Sequence, residues 1–194
     1  RMLIGVTRRL ESKHNCRFSL DALPTALDLQ RRYVRHLAFP GKAAVSLERL
    51  AVRLADKDIP RAEVLDAFHR QSGLALDFLD AHAKLSRQAV VDGLRNRIVG
   101  QDEAVAAMAD AVTVAKARLN DPDRPLASFL FLGPTGVGKT QCAKSLAAYL
   151  FGSEERLLRF DMNAFVSADA ASRLVGTFNS PEGQLTGPIR LNPF

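Results

Sequence analysis

Eight residues constrain this 194-residue chain more than any others: Gly133-Pro134-Thr135-Gly136-Val137-Gly138-Lys139-Thr140. They satisfy the pattern G-x-x-x-x-G-K-[ST] and stand between two segments of different periodicity. Before them, Ser128-Phe129-Leu130-Phe131-Leu132 is a short, continuously apolar run bounded by Pro125 and Gly133, as expected of a strand buried on both faces of a parallel sheet. After them, Ala143, Leu146, Ala147 and Leu150 mark a helix. In that order, small glycines let successive backbone N–H groups face phosphate oxygens, with the positive end of the helix behind them. The expected fold is therefore α/β, a P-loop NTPase parallel sheet, incomplete, preceded by a small helical subdomain.

The same residues name a ligand. Lys139 is expected to bridge the β- and γ-phosphates of ATP, and Thr140 to place its hydroxyl on Mg²⁺, a cation that prefers hard oxygen ligands. Gln141 follows in the nucleotide-binding set; because it is not glycine, Gly136-Val137-Gly138 does not extend to a dinucleotide fingerprint. A chance match to the loop pattern arises in roughly one chain of this length in a hundred, and the flanking strand and helix lower that figure. Hydrolysis also needs an acid to hold Mg²⁺ and a group to orient water. Leu157-Leu158-Arg159-Phe160-Asp161 is a second candidate strand, and Asp161 either faces the site or caps the strand end. No run of four apolar residues followed by Asp-Glu occurs before Phe194, so Lys139 is the one catalytic candidate.

Upstream, the pattern is helical. Leu23, Leu27, Tyr33 and Val34 predict a helix over 24–35, broken at Phe39-Pro40-Gly41. Val45, Leu47, Leu50, Val52 and Leu54 predict a second, ended by the turn Asp56-Lys57-Asp58-Ile59-Pro60. Pro60 suits the start of a third, which carries Val64, Leu65 and Phe68 to Ser72-Gly73. Residues 1–72 thus form the helical subdomain. Residues 73–96, with moderate periodicity and many charges, are expected to be a helical linker rather than core, and 97–194 the P-loop unit. There Val105, Met108, Val112, Ala115 and Leu119 predict an amphipathic helix ending at Asn120-Asp121-Pro122.

Composition narrows the classes further. A hydrophobic content of 47% supports a buried core. No apolar run reaches the roughly 18 residues of a membrane span, and the first residues lack the order of a secretory signal, so a cytoplasmic location is expected. The termini, Arg1 and Phe194, carry no capping or tail feature, which reads as a fragment. Cys16 and Cys142 are expected to be reduced thiols, and His14, His36, His69 and His82 lack metal-ligand spacing. The net charge of +6 sits wholly in residues 1–70, with 14 Lys+Arg against 8 Asp+Glu. Clusters such as Arg31-Arg32-Tyr33-Val34-Arg35 read as a solvated helix face or subunit contact in preference to a nucleic-acid surface, having no aromatic interleaving.

Longer strings carry a resemblance. Arg97-Ile98-Val99-Gly100-Gln101-Asp102-Glu103-Ala104-Val105, Asp123-Arg124-Pro125, the run and loop from 128 to 140, Arg159-Phe160-Asp161-Met162-Asn163, Ser172-Arg173-Leu174-Val175-Gly176 and Gly183-Gln184-Leu185-Thr186 resemble, in order, the second ATPase module of the Clp-type AAA+ unfoldases. Phe39-Pro40-Gly41-Lys42-Ala43 is similar to a stretch in the helical lid of that family's first module, and Leu3-Ile4-Gly5-Val6-Thr7 to the sensor strand before it. The resemblance implies that 1–72 is that lid, and that Ile98 and Val99 line the adenine pocket. It also implies a homo-hexameric ring that uses ATP to pull polypeptide substrates through a channel. Two departures stand out. Where the family carries Gly-Tyr-Val-Gly to grip substrate, this chain has Thr177-Phe178-Asn179-Ser180-Pro181-Glu182, with Phe178 as the only aromatic. Only residues 55–60 separate helices where disaggregases insert a long coiled coil, which favours an unfoldase with a Clp-type protease partner, or a specialised relative, over a disaggregase. An assembly module without substrate grip is the alternative reading, and a DNA-remodelling relative ranks last.

Overall fold

Why the N-terminal part is helical follows from its stripes. The computed structural model describes residues 2–34, 37–119, 121, 124–167, 169–178 and 181–191, excepting the side chains of 190 and 191. Leu3, Val6, Thr7 and Leu10 fall three and four apart, and helix α1 (Met2–His14) turns them to one side, burying Thr7 and Leu10. The strand expected at residues 3–7 is thus corrected to helix. In a strand, Leu3 and Val6 would point to opposite faces, whereas in the helix both reach the core. The chain continues through β1 (Arg17–Phe18), α2 (Ala22–Tyr33), α3 (Gly41–Arg53), β2 (Asp58–Ile59) and α4 (Arg61–Ser72). Helix α2 begins two residues before the helix expected over 24–35; Arg35 and His36 lie outside the described residues.

The segment expected as a turn at 56–60 also holds a strand. β1 pairs with β2 in parallel, Arg17 opposite Asp58 and Phe18 opposite Ile59. Around this ladder Ala22, Ala26, Leu29, Leu47, Leu50, Ala51, Ile59, Val64 and Phe68 form the core. Lys42 is buried among them. Its ammonium donates to the Val34 carbonyl and lies 4.1 Å from the centre of the Phe39 ring, and burial pushes its pKa down. Gly73, in the left-handed conformation at φ 74°, ends α4.

The stretch expected to be a connector outside the core is corrected by its burial. In α5 (Leu76–Leu79) and α6 (Arg87–Arg95), Phe78, Leu79, Val90, Val91 and Leu94 are all buried, as is Leu74 before them. The charges Arg87, Asp92 and Arg95, all exposed, dilute this short stripe. The Ser86 hydroxyl caps α6 by accepting from the Ala89 N–H at 3.1 Å, worth about 1 kcal/mol.

Helix α7 (Asp102–Lys116) packs along α6 and buries Val105, Met108, Ala109, Val112 and Ala115. Leu119, expected in the same stripe, lies past the helix end and is exposed; Asn120 and Pro122 lie outside the described residues. Polar bonds tie this end of α7 to the earlier helices. Lys116 Nζ donates to the carbonyls of Asp77, Phe78 and Asp80, Arg118 pairs with Asp28 at 2.6 Å, and Arg61 pairs with Asp80.

Helix α8 (Lys139–Phe151) adds Cys142 to the core and approaches α6 closely. A Cβ at Gly93 would lie 2.6 Å from Cε2 of Tyr149. Both cysteines are free and buried, which raises their thiol pKa values. The runs 128–132 and 157–161 carry no ladder, so the strands expected there are unpaired among the described residues. A strand buried on both faces needs a neighbour on each edge, and no described segment supplies one. The α/β class is expressed in the parallel β1–β2 pairing and in the order of run, glycine loop and helix around 133–140. Short helices α9 (Ala170–Val175) and α10 (Thr186–Leu191) follow. Among the described residues no helix is long and apolar enough to cross a membrane.

Candidate nucleotide-binding site

Three glycines set the course of the loop. Gly133, Gly136 and Gly138 have φ of 149°, 87° and 97°, values that side-chain-bearing residues rarely adopt. At 136 and 138 an added Cβ would meet nothing within 4 Å. The backbone dihedral therefore demands glycine there, and the space beside the backbone is open to a ligand. Helix α8 begins at Lys139, and its first turn is closed by the Cys142 N–H donating to the Gly138 carbonyl at 2.9 Å. The N–H groups ahead of that bond have no intrahelical acceptor and carry the positive end of the helix dipole.

The expected site residues divide into those brought together and those not. Lys139 folds its ammonium back over the loop, donating to the carbonyls of Gly133 at 2.8 Å and Pro134 at 2.5 Å. Thr135, Val137 and Thr140 are exposed along the same turn. Gln141 is also exposed, but its amide runs along α8 to the Ser145 hydroxyl at 3.4 Å. Ile98 and Val99, expected side by side at an adenine pocket, point apart: Ile98 is buried in the core and Val99 is 93% exposed. Asp161 accepts from the Asn163 N–H at 3.2 Å and so caps the turn Met162–Ala164.

One residue of the site had no role in the sequence reading. The Gln101 side chain donates to the Val137 carbonyl at 3.0 Å and joins the start of α7 to the loop. Its only sequence signal is a residue type that caps helices poorly, placed at a helix start. A second missed feature closes the base of the loop at 177–182. The Thr186 hydroxyl accepts from the Gly183 N–H at 2.8 Å and donates to the Val175 carbonyl at 2.9 Å, while Gln184 and Leu185 donate to Arg173 and Leu174, each at 2.9 Å. A Cβ at Gly183 would lie 2.3 Å from the Leu174 carbonyl oxygen, so only glycine fits. Phe178 projects into solvent; Asn179 and Ser180 lie outside the described residues.

Electrostatically the site suits an anion. Lys139 is at the loop, together with the positive end of α8. No group of three metal-ligating side chains occurs among the described residues, so a cation here would depend on the Thr140 hydroxyl and on oxygens brought by the ligand. Open glycine turns, a helix start, a lysine and a hydroxyl together fit a nucleotide triphosphate with Mg²⁺. An apolar cleft of about 580 Å³ lies beside α8, lined by Phe129, Phe131, Leu146, Leu157 and Ile189.

Known proteins are similar to this chain. The AAA domain (Cdc48 subfamily) matches residues 124–194. "Chaperone protein ClpB 2" of Nostoc sp. is 41% identical over 146 residues, covering 73% of this chain and 17% of the relative. "Chaperone protein ClpD, chloroplastic" of Arabidopsis thaliana is 31% identical and covers 100% of this chain and 28% of the relative. That match extends over 272 residues, so ClpD carries segments here that this chain does not. Among solved structures, the S. cerevisiae Hsp104-ADP complex aligns with a TM-score of 0.76 at 29% identity, covering 100% of this chain and 35% of that one. A closed-state reconstruction of Hsp104 with ATPyS and FITC casein aligns with a TM-score of 0.74 at 30% identity, covering 99% and 35%. The chain thus spans less than a third of the length of these curated relatives.

Proposed function

From the premise that this chain belongs to the Clp-type AAA+ ATPases, we propose that residues 133–140 bind the triphosphate of ATP together with Mg²⁺. The observation that carries this reading is the open, left-handed backbone at Gly136 and Gly138 immediately before the start of α8. Lys139 exchanges the carbonyls of Gly133 and Pro134 for phosphate oxygens, and the Thr140 hydroxyl serves the cation. Gln141 stands behind them, and of the pair expected at the base the exposed Val99, not the core-buried Ile98, is open to it. Bound ATP supplies a phosphoryl group whose transfer to water releases the energy for work. This chain lacks the paired acids for that transfer, so alone it binds without efficient turnover.

In the whole protein the reading is ATP hydrolysis by a homo-hexamer that unfolds or translocates polypeptides. Casein, named with Hsp104 in its solved complexes, is a polypeptide of the relevant kind. Residues 1–72 are then the lid of a first module, 73–96 the linker and 97–194 the front of a second, in a cytoplasmic protein. The short connection at 55–60 supports a partner protease; the relatives named as chaperones support stand-alone remodelling instead. The scaffold alternative rests on the missing tyrosine at 177–182, whereas the exposed Phe178 ring supports retained grip.

The test is a titration with a fluorescent N-methylanthraniloyl ATP and Mg²⁺. The chain binds, and Lys139→Ala weakens binding by at least about tenfold, the loss of a charge-assisted contact. Equal binding by the variant sinks the reading.

A further inference from the structure

We propose that Gln101 is a positioning residue of the phosphate loop, its side-chain amide holding the peptide between Val137 and Gly138 so that the Gly138 N–H is aimed for a nucleotide triphosphate. The inference rests on the reading of 133–140 as an ATP cradle. Its physical basis is one peptide plane. Gln101 Nε2 donates to the Val137 carbonyl at 3.0 Å. The acceptor is a carbonyl, so the amide nitrogen must face it. A trans peptide sets its C=O and N–H in opposite directions, and holding the Val137 oxygen therefore fixes the Gly138 hydrogen. Without that hold the peptide adjoins a glycine at φ 97°, whose missing side chain offers no resistance to rotation.

The arm is mounted on a firm base. The Gln101 carbonyl accepts from the Val105 N–H at 2.9 Å as the first bond of α7, and Arg95 pairs with Asp102 at 2.7 Å next to it. Ile98 is buried, with its N–H on the Leu94 carbonyl at 3.0 Å. The residue type also argues for the role. Gln101 occupies the cap of α7 but makes no side-chain cap bond, where serine, threonine, aspartate or asparagine would. The helix forgoes a cap, and the side chain goes to the loop instead.

Cap and loop hold therefore compete, which separates this role from a structural one. Gln101→Ser can cap α7 but cannot reach Val137. Its melting temperature is equal to or above that of the parent chain, while its dissociation constant for N-methylanthraniloyl ATP with Mg²⁺ rises about tenfold, the scale of one hydrogen bond. Gln101→Leu shows the same weakening. Gln101→Lys keeps a donor and binds within about threefold of the parent. The Gly138 amide resonance moves in the serine and leucine variants and returns in the lysine variant. Serine and leucine variants that bind within about twofold of the parent, with that resonance unmoved, overturn the proposal. So does a parallel fall in stability and binding that lysine does not restore. If the parent chain itself fails to bind, the ATP reading falls, and the Gly138 resonance still tests the peptide hold by itself.

Discussion

The helices from α1 to α7 and the part of the chain beyond residue 124 bury their apolar residues to different depths. In the first region Leu29, Leu47, Ile59, Leu79, Leu94 and Met108 are each 2% exposed or less. In the second the buried side chains are small, Cys142, Ser145, Ala147 and Ala148, while Leu130, Leu132 and Phe178 are each more than 80% exposed. An amphipathic helix needs one partner surface, and neighbours close in sequence provide it. A strand buried on both faces needs flanking strands and two covering layers. The loop at 133–140 depends on neither, because its glycines and the start of α8 set its path, and α8 docks on the helical region through Cys142, Leu146 and Tyr149. The course of a glycine loop can thus be set where the surrounding sheet is not.

The contrast is open to direct attack by substitution. Its largest expected consequence is at Leu47, fully buried in α3, where Leu47→Ala lowers unfolding free energy by about 3 kcal/mol in chemical denaturation. A loss below about 1 kcal/mol would break the distinction between the regions. A smaller effect appears in acid. The hydrogen bond from Arg61, foremost among several causes, holds the Asp80 carboxyl down from 3.8 to about 2. A carboxyl depressed on folding adds stability that is present above about pH 4 and lost as the pH falls through about 2. Asp80→Asn lacks this titration. It is less stable at neutral pH and loses less between pH 4 and 2, as thermal melts across that range would record. An acid limb as steep as the parent's would remove Asp80 from the account. The smallest expected effect is at Leu130, 82% exposed, where Leu130→Ala changes stability by no more than about 0.5 kcal/mol. A larger loss would show that the run 128–132 is held more firmly than its exposure indicates.

Legibility followed the same division. The loop was readable because Gly136 and Gly138 encode backbone angles in residue type, and α3, α4 and α7 because their stripes are long. The core role of residues 74–94 was obscured because α6 spans nine residues, too few to stand out from its charges. Residues 3–7 were misplaced because five residues without flanking context fit a strand as well as a helix, until Leu10 extends the stripe. The Gln101 contact crosses 36 positions and leaves no local pattern. The Asp161 cap was one of two readings left open, and only the position of the Asn163 N–H decides it.

The pairing of β1 with β2 depends on its surroundings. Arg17 and Phe18 meet Asp58 and Ile59 through two residues of ladder, with Arg17 donating to Lys57 at 3.3 Å and Ser19 to Ile59 at 3.1 Å. Closing a loop of about forty residues carries an entropy cost that so short a ladder does not offset alone. Helices α2 and α3 lie inside that loop and pack on each other, α2 also on α4 and α3 on α1. The ladder therefore persists only while that packing holds, which makes its amides a local gauge of whether the helices around it are assembled.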